Sequence, residues 1–180
     1  DVRNVLERAS ARETTARVAA VALAKVYLRA FGVEIRSHVL RIGAVTAPLR
    51  DDLTAESFAT VDESPVRCLD GDATAAMVEE INVARKANES LGGIYDVVAF
   101  GVTPGIGSHV SWETRLDGRL AQAIMSIQAM KGVGIGDGFD LAGRVGSKAH
   151  DEIFYGEEHG FERETNRAGG IEGGMTNGDT

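Results

Sequence analysis

The chain has 180 residues, 43% hydrophobic and 26% charged, a composition typical of a globular protein with one sizeable core. Its formal net charge of −8 excludes a long-range attraction for nucleic acid or anionic membranes, so an anionic ligand needs a local cluster of cations. The single cysteine, Cys68, excludes an internal disulfide, and no spacing of Cys and His residues suits a zinc site. No segment reaches the ~20 apolar residues of a membrane span, so we expect a cytoplasmic protein.

The first predicted element is a long helix. Residues 7–31 contain no glycine or proline, and the second half of this range is apolar nearly all round. This pattern predicts a helix that is buried on most sides and ends at Gly32. Residues 33–42 follow, rich in β-branched residues with polar ones interleaved, which favours a strand.

The middle of the chain predicts an irregular segment, a helix and a strand. Residues 46–67 contain two prolines and several acids without a clear period, which indicates a surface excursion with at most a short helix. Helical spacing returns over residues 73–88, and an extended apolar run follows over 94–102.

The last third predicts a second long helix and then loops. Residues 115–130 carry one apolar stripe, and Lys131 and Gly132 supply a cation and a glycine for the helix end. Residues 132–180 are rich in glycine and predict mostly loops. The fold class is therefore α+β, with long helices and antiparallel strands. Since the chain starts without Met and stops after a glycine-rich run, we expect residues 1–180 to be an internal portion of one domain.

Two arginines near the start of the first helix form a candidate anion site. Arg8 and Arg12 are four residues apart, which predicts that they share one helical face, with small residues between them. Free amides at a helix N-terminus and the Ser10 hydroxyl add further donors for a phosphate or the edge of a flavin. The alternative is that both arginines pair with acids such as Glu7 and Glu13.

The glycine-rich segments are the second candidate. Residues 132–138 follow a helix and do not satisfy the dinucleotide-binding fingerprint, and residues 101–108 lack the lysine of a phosphate-binding loop. Residues 165–178 combine polar side chains with glycines that allow positive φ, as anion-binding backbone nests require, although an ordinary surface loop has the same composition. Of four scattered histidines, only His150, beside an acid, is kept as a secondary candidate.

Five motifs together resemble the chorismate synthase family, in the family's order. They are Glu7-Arg-Ala-Ser-Ala-Arg-Glu-Thr14, Gln128-Ala-Met-Lys-Gly-Val133, Ile135-Gly-Asp-Gly-Phe139, Ala149-His-Asp-Glu152 and Thr165-Asn-Arg-Ala-Gly-Gly-Ile-Glu-Gly-Gly-Met-Thr-Asn-Gly178. The resemblance implies long helices sandwiched between antiparallel sheets, here incomplete, a homotetramer and reduced FMN as cofactor. NADPH would serve only to reduce the flavin.

The resemblance also implies a reaction and a set of site residues. The family is a carbon–oxygen lyase that eliminates phosphate and a ring hydrogen from 5-enolpyruvylshikimate-3-phosphate to give chorismate, with a reduced flavin that is required but not consumed. By motif, the FMN-binding residues are Arg8, Ala9, Ser10, Gln128, Ala129 and Gly173. Arg12 resembles the arginine that faces the anionic substrate.

Parts of the family pattern are missing. The N-terminal and C-terminal motifs that carry the family's acid and base groups are not in this chain, so no catalytic residue is assigned and we expect the chain alone to be inactive. Val21 and Gly134 stand where a small residue and an acid are usual. A non-catalytic oligomeric module that binds flavin or phosphate is the alternative function, and a nucleotide-phosphate enzyme is disfavoured by the failed glycine motifs.

Overall fold

The computed structural model describes residues 1–9, 11–50, 52–157 and 160–180, in two compact units. Residues 1–32 and 101–180 form the first unit, and residues 33–100 form the second. The helices are α1 (Val2–Ala9), α2 (Ala11–Arg29), α3 (Gly71–Ala87) and α4 (Leu116–Met125). The strands are β1 (Glu34–Ile42), β2 (Val45–Thr46), β3 (Gly93–Phe100), β4 (Ile153–Gly156), β5 (Gly160–Arg163), β6 (Ile171–Glu172) and β7 (Met175–Thr176). None of these helices is both long and apolar enough to cross a membrane.

The second unit is an antiparallel sheet with one helix. The strand order is β2-β1-β3, and the pairing of β1 with β3 is interrupted by a bulge between Val39 and Arg41. The strands predicted over 33–42 and 94–102 and the helix predicted over 73–88 are thus confirmed. α3 begins where the Asp70 carboxylate accepts a hydrogen bond from the Ala73 amide at 2.7 Å, and it ends at Asn88 in the left-handed conformation.

The core of this unit includes part of the predicted surface excursion. Ala47, Cys68, Ala73 and Met77 form a buried cluster between the sheet and α3. Residues 46–67 contain two short 3-10 helices, and their Phe58 and Val61 side chains are only 2% and 4% exposed. The excursion is therefore not confined to the surface, because Phe58 packs against His38 of β1.

His38 is the least ordinary residue of this core. It is 5% exposed, its ring packs edge-on against Phe58 at 5.5 Å between centroids, and neither ring nitrogen has a hydrogen-bond partner among the described residues. Burial lowers the pKa of His38, although Asp96, its partner across the sheet, acts in the opposite direction. Burial also raises the pKa of Asp96, so both groups are disfavoured in their charged forms.

In the first unit the apolar side chains of the predicted long helix are exposed. Helical residues lie on both sides of Ser10, which is outside the described residues, as α1 (Val2–Ala9) and α2 (Ala11–Arg29). Gly32 follows α2 with φ +79°, as predicted for a helix stop. The prediction that α2 is buried on most sides is wrong in this chain, since Val18, Leu23 and Tyr27 are 64%, 74% and 65% exposed. In the part of the chain that the structure describes, no other element covers these side chains.

The remainder of the first unit is largely loop, as predicted. α4 is shorter than the predicted helix and ends at Met125 rather than near Lys131. Two local features end it: the Ser126 hydroxyl donates to the Ala123 carbonyl at 2.6 Å, and Ala129 takes φ +67°, which no helix tolerates. Beyond α4 lie two small antiparallel hairpins, β4–β5 and β6–β7.

Candidate functional site

Gln128, just beyond α4, binds three residues on either side of Ser10, namely Arg8, Glu13 and Thr14, which together are called the α1–α2 junction below. Its side-chain amide donates to the Glu13 carboxylate at 2.8 Å and to the Arg8 carbonyl at 3.4 Å, and its carbonyl oxygen accepts from the Thr14 hydroxyl at 3.0 Å. Ala129, the next residue, has positive φ and is exposed. The backbone therefore turns at Ala129 while the Gln128 side chain holds the helix junction.

Charged residues at this junction are mostly paired. Arg17 donates to Glu13 at 2.6 and 2.8 Å, and Arg12 pairs with Glu7. The alternative of ion pairing is thus confirmed for Arg12 and for Glu13. Hydrogen bonds from Gln128 and then from Arg17 lower the pKa of Glu13, with a smaller effect from the charge of Arg8. Glu13 is therefore held as a carboxylate by the same groups that hold the junction together.

Arg8 belongs to α1 and Arg12 to α2, on either side of Ser10, which is outside the described residues, so their placement on one helical face stays a prediction. The Arg8 carbonyl accepts the Gln128 amide at 3.4 Å. Both arginine side chains are exposed, as an anion site requires.

Gly173 occupies the turn of the β6–β7 hairpin. Gly173 and Gly174 have φ of +59° and +87°, as the two central residues of a tight two-residue hairpin turn require. Gly173 is exposed, and a Cβ atom there would meet no atom within 4 Å. Gly174 by contrast is packed against Arg115, and its carbonyl accepts the Leu116 amide at 2.9 Å at the start of α4.

The structure joins some of the predicted site residues and separates others. Gln128 contacts the backbone of Arg8, with Ala9 and Ala129 next to them, at the C-terminal end of α4. Gly173 lies near the other end of this ten-residue helix, which is about 15 Å long. Ser10 is outside the described residues. The predicted site residues are thus distributed along one helix of the first unit.

A buried carboxylate that the sequence analysis did not single out organises the neighbouring loops. Asp151 is 9% exposed, and it accepts hydrogen bonds from the Thr165 hydroxyl at 2.5 Å and from the amides of Arg167 and Ala168 at 2.8 and 2.9 Å. Burial raises the pKa of Asp151, but these hydrogen bonds outweigh it and leave the pKa below its ordinary value. His150 contributes its backbone carbonyl to Arg167 while its own residue is exposed.

The two glycine-rich loops contact each other directly. The Asp137 amide donates to the Arg167 carbonyl at 2.8 Å. A Cβ atom at Gly136 would overlap the Arg167 carbonyl oxygen, and one at Gly169 would overlap the backbone of Gly136. Only glycine allows this approach of two backbones. No group of three His, Cys, Asp or Glu side chains suited to a metal occurs among residues 1–9, 11–50, 52–157 and 160–180.

Comparison with known proteins identifies the family. The sequence profile described as chorismate synthase matches residues 1–180. Chorismate synthases from Symbiobacterium thermophilum and Brevibacillus brevis are 56% and 54% identical over 99% of this chain, which spans 46% of each relative. The structure described as "Crystal Structure of Chorismate Synthase" matches 99% of this chain and 56% of its own, with 45% identity and a TM-score of 0.92, which confirms the α+β fold. The chain spans about half the length of these relatives, and it belongs to the chorismate synthase family.

Proposed function

We propose that this chain is the internal portion of a cytoplasmic chorismate synthase and supplies part of its pocket for reduced FMN. The full-length protein would eliminate phosphate and a ring hydrogen from 5-enolpyruvylshikimate-3-phosphate, giving chorismate as a homotetrameric lyase. Family membership over residues 1–180 is the observation that carries this proposal. FMN would be the flavin that the reaction requires in its reduced form and does not consume. NADPH would act only in the reduction of this flavin.

The residues at the α1–α2 junction fit one edge of a flavin or its phosphate. Arg8 and Ala9 are exposed at the end of α1, and Ala129 is exposed beside them after Gln128. The positive φ of Ala129 turns the main chain so that Gln128 holds the junction while its neighbour stays accessible. Arg8 would hold the anionic part of FMN, and Ser10, by motif, would add a hydroxyl.

Gly173 fits a second contact with the cofactor. Its exposed backbone and the open space around its Cα would let a planar ring approach the hairpin turn closely. Arg12 would face the anionic substrate, and its pairing with Glu7 would keep its guanidinium oriented in the absence of substrate. A chain with net charge −8 needs such local cations to hold a substrate that carries phosphate and carboxylate groups.

Titration of the full-length protein with reduced FMN tests the cofactor site. We expect Arg8→Ala to weaken FMN binding by about 10- to 150-fold, since a charge-assisted hydrogen bond is worth about 1.5–3 kcal/mol. Arg3→Ala is the matched control, because Arg3 is exposed on the same helix and pairs with Asp1. Equal FMN affinity for the two variants would contradict the assignment of Arg8.

Phosphate release tests the reaction. With reduced FMN present, we expect the full-length protein to release phosphate from 5-enolpyruvylshikimate-3-phosphate, and we expect Arg12→Ala to raise KM for this substrate with little change in FMN affinity. A protein that binds FMN and leaves the substrate intact would instead be the non-catalytic binding module. ATP displacing FMN would favour a nucleotide-phosphate enzyme.

A further inference from the structure

Asp151 is a buried acid that serves one loop with both of its carboxylate oxygens. Oδ1 accepts from the Thr165 hydroxyl and the Arg167 amide, and Oδ2 accepts from the Ala168 amide. All three donors belong to residues 165–168, so a single side chain fixes the conformation of this loop. Because these donors occupy both oxygens, the carboxylate is an anchor for backbone amides and not a proton acceptor for a substrate.

The loop that Asp151 fixes leads directly into the β6–β7 hairpin. The Asn166 side chain accepts the Gly170 amide at 2.9 Å, and the Gly170 carbonyl accepts the Asn177 amide at 2.9 Å on the far side of the hairpin. The same loop packs through Gly169 against Gly136 of the preceding glycine-rich loop. Asp151 thus lies at the base of an arrangement whose exposed tip is Gly173.

The opposite side of the hairpin is held independently. The Thr176 hydroxyl donates to the Thr103 carbonyl at 2.6 Å and accepts from the Ile106 amide at 2.9 Å, and the Gly174 carbonyl binds the start of α4. These contacts secure β7 and the end of the turn. The entry to β6 is held by residues 165–170, and Glu172 at its end accepts from the Asn177 side chain at 2.9 Å. Loss of the Asp151 contacts would therefore loosen the entry to β6 and leave β7 in place.

We propose that Asp151 is a positioning residue for the FMN site: it orders residues 165–170 and thereby fixes the Gly173 turn in the conformation that accepts the cofactor. This inference rests on the proposed function, because Gly173 matters only if FMN binds there. Asp151 itself does not touch the cofactor. Asp151 instead increases the fraction of molecules in which the Gly173 turn has the binding conformation. The apparent Kd for FMN rises in inverse proportion as this fraction falls.

The test compares Asp151→Asn with Glu152→Gln in the full-length protein. Both changes neutralise one acid, but Glu152 is exposed, whereas Asp151→Asn places an amide NH2 among three donors. We expect Asp151→Asn to raise the Kd for reduced FMN by about tenfold or more and to leave kcat at saturating FMN close to the wild-type value. Hydrogen exchange should accelerate at the Arg167 and Ala168 amides, and Glu152→Gln should change none of these quantities.

The outcomes separate this inference from the proposed function. If wild-type protein binds no reduced FMN, the proposed function fails and this inference fails with it. If wild-type protein binds FMN and Asp151→Asn binds it as tightly as Glu152→Gln does, only the inference is overturned. Should Asp151→Asn not fold, Thr165→Val removes one of the three donors and is expected to raise the Kd several-fold, while an unchanged Kd for that variant overturns the inference.

Discussion

Gly136 offers a sharp test of the contact between the two glycine-rich loops. It has φ +59°, and a Cβ atom added there would lie 2.6 Å from both the carbonyl carbon of Ala168 and the nitrogen of Gly169, and would overlap the Arg167 carbonyl oxygen. These neighbours are all backbone atoms, which cannot rotate away as a flexible side chain would. Gly138, two residues later, has φ +54° and no atom within 4 Å of its added Cβ.

The two glycines therefore separate backbone strain from steric overlap. Alanine at either position pays about 1–2 kcal/mol for the left-handed conformation. Gly136→Ala must in addition separate the loops, which adds about 1–3 kcal/mol for overpacking and about 1 kcal/mol for the lost Asp137–Arg167 hydrogen bond. We expect Gly136→Ala to lower the free energy of unfolding by about 4 kcal/mol and Gly138→Ala by less than about 2 kcal/mol.

Urea denaturation of the full-length protein, followed by circular dichroism, measures this difference, with hydrogen exchange at the Asp137 amide as a local measure. Gly136→Ala should lose protection at that amide, and Gly138→Ala should keep it. Equal destabilisation by the two substitutions, within about 1 kcal/mol, would refute the close approach of the two loops.

Two further predictions concern buried polar groups. Because the pKa of His38 is lowered from 6.5 in the folded state, the unfolded chain binds the proton first, so stability should fall as the pH drops below 6.5. Burial raises the pKa of Asp96, so its contribution to stability changes with pH in the opposite direction. His38→Leu isolates the contribution of the histidine. The urea midpoint of this variant should depend less on pH than that of wild type, and an equal dependence would contradict the prediction. Thr176→Val should lower the free energy of unfolding by about 2 kcal/mol. It removes the hydroxyl that donates to the Thr103 carbonyl and accepts from the Ile106 amide, so both backbone groups lose a hydrogen bond. Thr176→Ser keeps both hydrogen bonds and should cost clearly less, and thermal denaturation of the two variants distinguishes these outcomes.

The regular elements of the second unit were predictable because local signals agreed with the tertiary environment. Residues 33–42 carry β-branched residues in partial alternation, and the strand they form buries the face with His38 and Leu40. α3 has an acid at its start and Asn88 at its end, and both act as caps. In this unit, hydrophobic period and capping chemistry indicated the same structure.

The helices of the first unit show where local signals fail. Nothing in the apolar pattern of residues 115–130 reveals that Ser126 and Ala129 end the helix, because alanine is an ordinary helix former and its positive φ is imposed by the fold. The apolar residues of α2 predicted burial, yet burial needs a covering layer, and the pattern does not say which segment supplies it.

The candidate site was predicted only in part, and for the same reason. The motifs around Arg8, Gln128 and Gly173 indicated the family, but the contact of Gln128 with Glu13 joins residues 115 positions apart. Asp151 stood inside a quoted motif without a role, since its partners Thr165 and Arg167 lie 14 and 16 residues downstream with no periodic relation to it. Loop anchors of this kind become visible only in three dimensions.

The burial of Cys68 makes thiol labelling a measure of how often the second unit opens. Its thiol is 4% exposed in the cluster with Ala47, Ala73 and Met77, and it is the single sulfhydryl of the 180 residues. A thiol reagent can modify it only when the packing around Cys68 opens, and at reagent concentrations where modification is faster than reclosing the labelling rate equals the rate of opening. The rate would report on the sheet and α3 while leaving the residues around Gln128 and Gly173 untouched.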